Sequence, residues 1–173
     1  MKKISTPLEK KQIAKLKAGE EVFLSGVIYT ARDQAHKKIY ERISRKKSLP
    51  LALHGQVIYY CGPTPAAKGR IIGSCGPTTS SRMDKFTPAL LKAGLAAMIG
   101  KGRRSKEVIQ AIKKNRAVYF LTLAGCGALL SEYVTAMKPV AYKDLGPEAI
   151  YCLAVKDFPL VVAVDSKGRS IIT

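Results

Sequence analysis

The spacing of apolar and polar positions changes repeatedly along the chain and divides it into alternating helices and strands. In residues 8–17, Leu8, Ile13 and Leu16 fall at helical intervals before Gly19, a residue suited to ending a helix. The β-formers of 22–30 predict a strand, and a second helix follows from Arg32 to about Lys47, stopped by Ser48-Leu49-Pro50. Residues 57–61 predict a strand, 62–65 a turn, 70–74 another strand and 75–81 a loop. A helix is expected over 83–93 and a short buried strand over 96–99. Ser105 is placed to cap a helix over 106–115, where Val108, Ile109 and Ile112 form an apolar face among lysines. Residues 118–123 predict a strand buried on both sides, 128–137 a helix, and Val140 the start of a further strand. Strands are expected at 150–155, 160–164 and 170–173, the last two joined by a hairpin turn at Ser166-Lys167-Gly168-Arg169.

Interleaved helices and strands predict an α/β fold. The 173 residues suit one domain with a real core, and no repeat, low-complexity tract or linker divides them, so residues 1–173 are expected to be one domain. The composition, 47% hydrophobic and 24% charged, excludes wholesale disorder, collagen-like sequence and coiled coil. The longest nearly apolar stretch, 117–130, is interrupted by Thr122, Gly125 and Gly127 and falls short of the roughly 18 residues of a membrane span. No apolar run follows Lys2 and Lys3, so no secretory signal is expected and the location expected is the cytoplasm.

Charge adds a question about partners. Thirty Lys and Arg against twelve Asp and Glu leave +18, densest at 37–47 and 101–116. Such an excess attracts nucleic acid, an acidic subunit or a small anionic substrate, and it equally describes a solvated basic surface. A nucleic-acid module would use those two stretches and bind with strong salt dependence. Against it, the chain has no Trp, four Phe and no recognised nucleic-acid-binding signature. Cys61, Cys75, Cys126 and Cys152 contain no C-x-x-C pair, and only His36 and His54 could join them, so no metal site from this chain alone is expected.

The densest chemistry lies between Gly76 and Asp84. Thr78, Thr79, Ser80 and Ser81 stand between a strand and Arg82 at the start of a helix. Backbone N–H groups there, with a guanidinium beside them, would suit a carboxylate; an ordinary capped turn has the same pattern. The stretch 62–69 fails as a phosphate loop, because Ala67 and Gly69 occupy the places that need Gly and Ser or Thr. No G-x-S-x-G elbow is present. Lys101, between Gly100 and Gly102, could meet a ligand at a strand end or sit in a surface turn. Arg32, with Asp33 and His36, begins a helix after a strand, where open α/β sheets bind ligands. His36 could equally be a packed, hydrogen-bonded side chain.

Together, Leu24-Ser25-Gly26, Ala31-Arg32-Asp33-x-Ala35-His36, Tyr60-x-Gly62-Pro63, Gly73-Ser74-x-Gly76-Pro77-Thr78-Thr79-x-x-Arg82-Met83-Asp84, Gly100-Lys101-Gly102, Leu145-Gly146-x-Glu148-Ala149-Ile150 and Asp157-Phe158-Pro159 resemble a known pattern. It is that of the carboxy-terminal domain of class I, iron–sulfur-dependent fumarases, a separate beta subunit in many archaea and bacteria. The L(+)-tartrate dehydratase beta subunit shares it. The resemblance covers about residues 5–173 and implies a swivelling β/β/α-type three-layer fold. It also implies a hydro-lyase, inactive alone, that interconverts (S)-malate and fumarate, with L-tartrate as the alternative substrate. A 4Fe-4S cluster is expected on a partner alpha subunit, none being bound by this chain. Arg32, Arg82 and Lys101 match substrate-carboxylate positions and Thr78 matches the proton acceptor. Asp33 and Asp84 are expected to orient Arg32 and Arg82, with His36, Gly76 and Thr79 in support. Cys75 stands where relatives usually carry Ala.

Overall fold

The computed structural model describes residues 2–172. The first strand, β1 (Lys2–Ser5), has one buried apolar residue, Ile4, and hence no legible pattern; it pairs parallel with β2 (Glu21–Thr30). Between them lies a single helical turn, α1 (Lys10–Ile13), shorter than the helix expected over 8–17. After α2 (Asp33–Ser44) come β3 (Val57–Tyr59), α3 (Thr87–Lys92), β4 (Ala97–Gly100), α4 (Lys106–Asn115) and β5 (Val118–Leu121). The chain then forms α5 (Gly127–Ser131), β6 (Val134–Ala141) and the fifteen-residue β7 (Ile150–Val164).

Strands β2, β3, β4 and β5 run parallel in that order. β7 lies antiparallel to both β5 and β2 and so closes the seven-stranded sheet into a barrel, with β1 and β6 as outer additions. Alternation along the strands separates two cores. Val57 and Tyr59, Ala97 and Ile99, Val118 and Phe120 join Leu24, Ile28, Phe158 and Val162 in one. Their neighbours Ile58, Met98 and Tyr119 join Ala35 and Ile39 of α2, Leu90 of α3 and Val108 and Ile112 of α4 in the other. Two barrel walls and one helical layer give a mixed α/β arrangement consistent with three layers.

Five more expectations change. Residues 70–74 form no strand: Thr64 N donates to Ser74 O at 2.9 Å, and Ser74 N to Thr64 Oγ1 at 2.7 Å, so a local turn takes the groups a ladder would use. The helix expected over 83–93 begins only at Thr87, with Pro88 in its first turn where no N–H is needed, after a separate 3-10 turn at Ser80–Met83. The helix expected over 128–137 ends at Ser131, because Tyr133, Val134 and Thr135 favour a strand and β7 offers an edge. The strands expected at 150–155 and 160–164 are one, Asp157 crossing the join at φ 50 with its N–H on Ser25 Oγ. Ser170 makes only an isolated bridge to Val164, across the expected turn at 166–169.

Candidate functional site

The parallel strands bring three chain segments to one rim. Ala31 N donates to Tyr59 O at 3.1 Å and Tyr60 N to Ile99 O at 2.9 Å, aligning the ends of β2, β3 and β4. Arg32, Gly62 and Lys101 leave those ends in turn, on the carboxyl side of the strands, where α/β sheets hold ligands. The loop after Gly76 joins the same rim: Thr78 N donates to Tyr60 O at 2.6 Å, Thr79 bridges Lys101, and Ser80 N donates to Lys101 O at 2.9 Å. Gly100 makes this approach possible, since a Cβ there would collide with Ser80 Oγ and stand 2.9 Å from Tyr60 Cδ2. Gly76 itself backs onto Gly127 at the start of α5. Thr78, Arg82, Arg32 and Lys101, far apart in sequence, are thus drawn to one side of the sheet.

Asp33 organises the arginines. Its carboxylate accepts two hydrogen bonds from Arg82, Nε to Oδ1 at 2.9 Å and Nη2 to Oδ2 at 2.8 Å, and lies 3.6 Å from Arg32 Nε. Arg82 is about half exposed. A pair that open to water contributes only about 0–1 kcal/mol to folding, so its consequence is orientation of the guanidinium. Arg32 also faces Glu148, 3.6 Å away, yet among the described residues its guanidinium donates no hydrogen bond, and its Nε is buried. Gly62 leaves room for it: a Cβ there would lie 2.9 Å from both Arg32 Cδ and Nη1. The rim is therefore an open cationic shelf with one arginine fixed by hydrogen bonds and another held only by longer ion pairs.

One expected supporting residue turns away from the rim, and another lies in the core behind it. Asp84 does not hold Arg82. It accepts from Arg104 Nε and from Ser105 N, each at 2.7 Å. In a 3-10 segment, with three residues per turn, side chains two positions apart diverge, which separates Asp84 from Arg82. His36 is buried in the core, donating Nδ1–H to Arg32 O at 2.9 Å, its ring edge-on to Tyr60. Burial holds its pKa down at about 4, against a smaller upward pull from that hydrogen bond, so the ring is neutral near pH 7.

Sequence reasoning missed the roles of Gly62, Glu148 and Arg104. Glu148 stood in a quoted motif without a role. Arg104 belongs to the basic stretch 101–116, but its side chain is buried, bonded to Asp84, Tyr60 Oη (3.2 Å) and Thr87 Oγ1 (2.8 Å) and stacked near Tyr60 and Tyr119. Burial opposes its charge, and the Tyr60 and Asp84 oxygens more than offset that, raising its pKa.

Among the described residues, no group of three or more His, Cys, Asp or Glu side chains is placed to hold a metal ion. Cys61 and Cys75 are buried, and burial pushes both thiols up, Cys75 to about 11. Among the described residues, the four cysteines do not come together as a ligand set for an iron–sulfur cluster.

The family model described as "Fumarase C-terminus" matches residues 2–173. The chain is 41% identical over 170 residues to "Putative L(+)-tartrate dehydratase subunit beta" of Methanocaldococcus jannaschii, covering 95% of this chain and 87% of that protein. It is 32% identical over 178 residues to the "L(+)-tartrate dehydratase subunit beta" of Escherichia coli, covering 99% and 87%. It is 37% identical over 160 residues to "Fumarate hydratase class I, aerobic" of Salmonella typhimurium, covering 91% of this chain and 28% of that one. The chain thus spans most of the length of the beta subunits and less than a third of that fumarate hydratase.

Proposed function

The chain belongs to the fumarase C-terminus family, and from that premise we propose that it is the beta subunit of a hydro-lyase that reversibly dehydrates a four-carbon 2-hydroxy dicarboxylate, interconverting (S)-malate and fumarate. The observation that carries this is the shelf itself, where Asp33 fixes Arg82 by two hydrogen bonds while Arg32 beside it has none to the described residues. A guanidinium held in that state is suited to grip a carboxylate in bidentate fashion.

Arg32, Arg82 and Lys101 bind the two carboxylates of the substrate. Loss of the proton next to a carboxylate loads negative charge onto that carboxylate, so cations already in place hold the transition state more tightly than the ground state. Thr78 Oγ1 accepts the proton. A hydroxyl is a weak base, so the proton must pass onward to a group that the partner subunit contributes. Gly76 and Thr79 shape the loop that carries Thr78, and His36 steadies the first turn of α2 behind Arg32. A 4Fe-4S cluster on the alpha subunit would supply a Lewis acid for the departing hydroxyl. The open shelf fits a site completed by that subunit, in a cytoplasmic hetero-oligomer in which residues 1–173 are one domain.

L-tartrate is the second reading, favoured by the 41% identity to the archaeal beta subunit and by matches that cover 87% of both proteins of that name. The test is anaerobic purification of the tagged chain with its partner, followed by kcat/KM for (S)-malate and L-tartrate. Malate turnover is expected to exceed tartrate turnover; the reverse order transfers the assignment to tartrate. In the same complex, Arg82→Ala is expected to lower kcat/KM by roughly 10²–10³ with assembly intact. Full activity in that variant would overturn the carboxylate shelf.

A further inference from the structure

We propose that Glu148 is a positioning residue for Arg32, accepting the guanidinium's Nε–H when a substrate carboxylate occupies its terminal nitrogens; the inference rests on the assignment of Arg32 to that carboxylate. The Arg32 backbone is already fixed. Its carbonyl accepts from His36 N at 2.8 Å and from His36 Nδ1 at 2.9 Å, so the freedom that remains belongs to the side chain. Of its three guanidinium nitrogens, Nε alone is buried without a hydrogen-bond partner among the described residues. A buried donor left unpaired is unfavourable, and an acceptor within reach relieves it. Two carboxylate oxygens stand 3.6 Å from that atom, just outside hydrogen-bond distance: Asp33 Oδ2 and Glu148 Oε1.

The two acids are not equivalent. Both Asp33 oxygens already accept from Arg82, at 2.9 and 2.8 Å, whereas Glu148 has no other ion pair among the described residues and is the uncommitted acceptor. Its backbone is held in place. Tyr151 Oη donates to Gly146 O at 3.0 Å and Ala149 N to the same carbonyl at 2.9 Å, and Ala149 is fully buried where β7 begins. Closing the gap to Nε is therefore left to the Glu148 side chain. The neighbouring arginine shows the same division of labour: Asp33 takes Nε and Nη2 of Arg82 and leaves Nη1 unengaged. On Arg32, Glu148 at Nε leaves both terminal nitrogens, which are neither enclosed nor bonded among the described residues, as a fork for a carboxylate. Contacts around a reacting group tighten in the complex with substrate, and the approach from 3.6 Å is that step.

The test separates reach from charge, in the complex with the partner subunit. Glu148→Gln keeps an acceptor at the same reach without the charge, and kcat/KM for the diacid is expected to stay within about fivefold of wild type. Glu148→Asp keeps the charge but draws the oxygens back by one bond length, and a loss of roughly 10–10²-fold is expected. Both should assemble with the wild-type melting temperature. In an Arg32→Lys background, which has no Nε–H, Glu148→Asp should cost less than about twofold. Asp144→Asn, on the same turn but paired with Lys38, should leave the kinetics unchanged. The opposite order, with Glu148→Gln the weaker enzyme, makes Glu148 a charge alone and overturns the proposal. So does wild-type activity in Glu148→Asp, or its full loss in the Arg32→Lys background. A lowered melting temperature in Glu148→Asp, or an equal loss in Asp144→Asn, overturns it by tracing the effect to the turn. A wild-type complex that turns over neither (S)-malate nor L-tartrate removes the dicarboxylate reading itself, and this inference with it.

Discussion

Gly62 shows how a residue without a side chain can govern one that has a long side chain. Any Cβ at this position would meet Arg32 at Cδ and Nη1, and Pro147 O on its other side. Gly62→Ala should therefore push the guanidinium off the shelf while the strand behind it persists. In the assembled enzyme, kcat/KM for the dicarboxylate is expected to fall by roughly a hundredfold, with little change in melting temperature. A large stability loss with normal kinetics per folded molecule would contradict that account. The arginines, Lys101 and the Gly-Pro-Thr-Thr loop were legible in the sequence, because each follows a strand or opens a helix. The dependence of Arg32 on Gly62 was not, since it is created by pairing of β2 with β3 across some thirty residues. Nor was the engagement of Asp84, whose direction depends on a tight turn that helical spacing does not describe.

At the scale of elements, the junction from the 3-10 turn through α3 to α4 is held by one buried cation. Arg104 reaches Asp84, Tyr60 and Thr87, and Asp84 also accepts from Ser105 N at the start of α4, whose Ser105 Oγ caps Val108 N. Arg104→Met would keep the side chain's bulk and leave a carboxylate and two hydroxyls without their donor. Removing one partner of such a buried pair costs about 3–5 kcal/mol. Urea denaturation is expected to show a loss of that order, whereas Lys106→Met, two residues away and exposed, should shift the midpoint little. α4 was read correctly because cap, apolar face and terminus agree locally. β7 was read as two strands because Lys156, Asp157 and Pro159 look like a break, and only the antiparallel neighbour β2 carries the chain through them. Residues 134–137 went the same way: their strand exists because an edge of β7 lies beside it.

For the whole molecule, the two-core arrangement makes stability depend on pH through His36, buried between α2 and the sheet. The fold holds its pKa at about 4, below the 6.5 of the exposed ring. Above pH 6.5 the ring is neutral in both states and contributes no pH dependence. Between 6.5 and 4 the unfolded chain takes up a proton that the folded one refuses, so stability falls with pH, by about 3 kcal/mol in total, and the loss levels off below 4. Urea midpoints from pH 7.5 to 4.5 should show this slope, and His36→Leu should flatten it by that amount even if its own stability is lower. The α/β class and the helical layer were legible as alternation of periods. Closure of the barrel was not, because no local pattern states which strand β7 will join.

That closure has a consequence for how the molecule comes into being. Strands β2 and β5 are both finished long before residues 150–164, yet each relies on β7 for a neighbour. During synthesis both strands must wait with one row of N–H and C=O groups unpaired, an invitation to join strands of other chains. Their long sequence separation from β7 also makes the final pairing slow relative to local steps. Newly made chains therefore pass through an open-sheet stage whose hazard is association with one another, and the seam that ends it is laid down last.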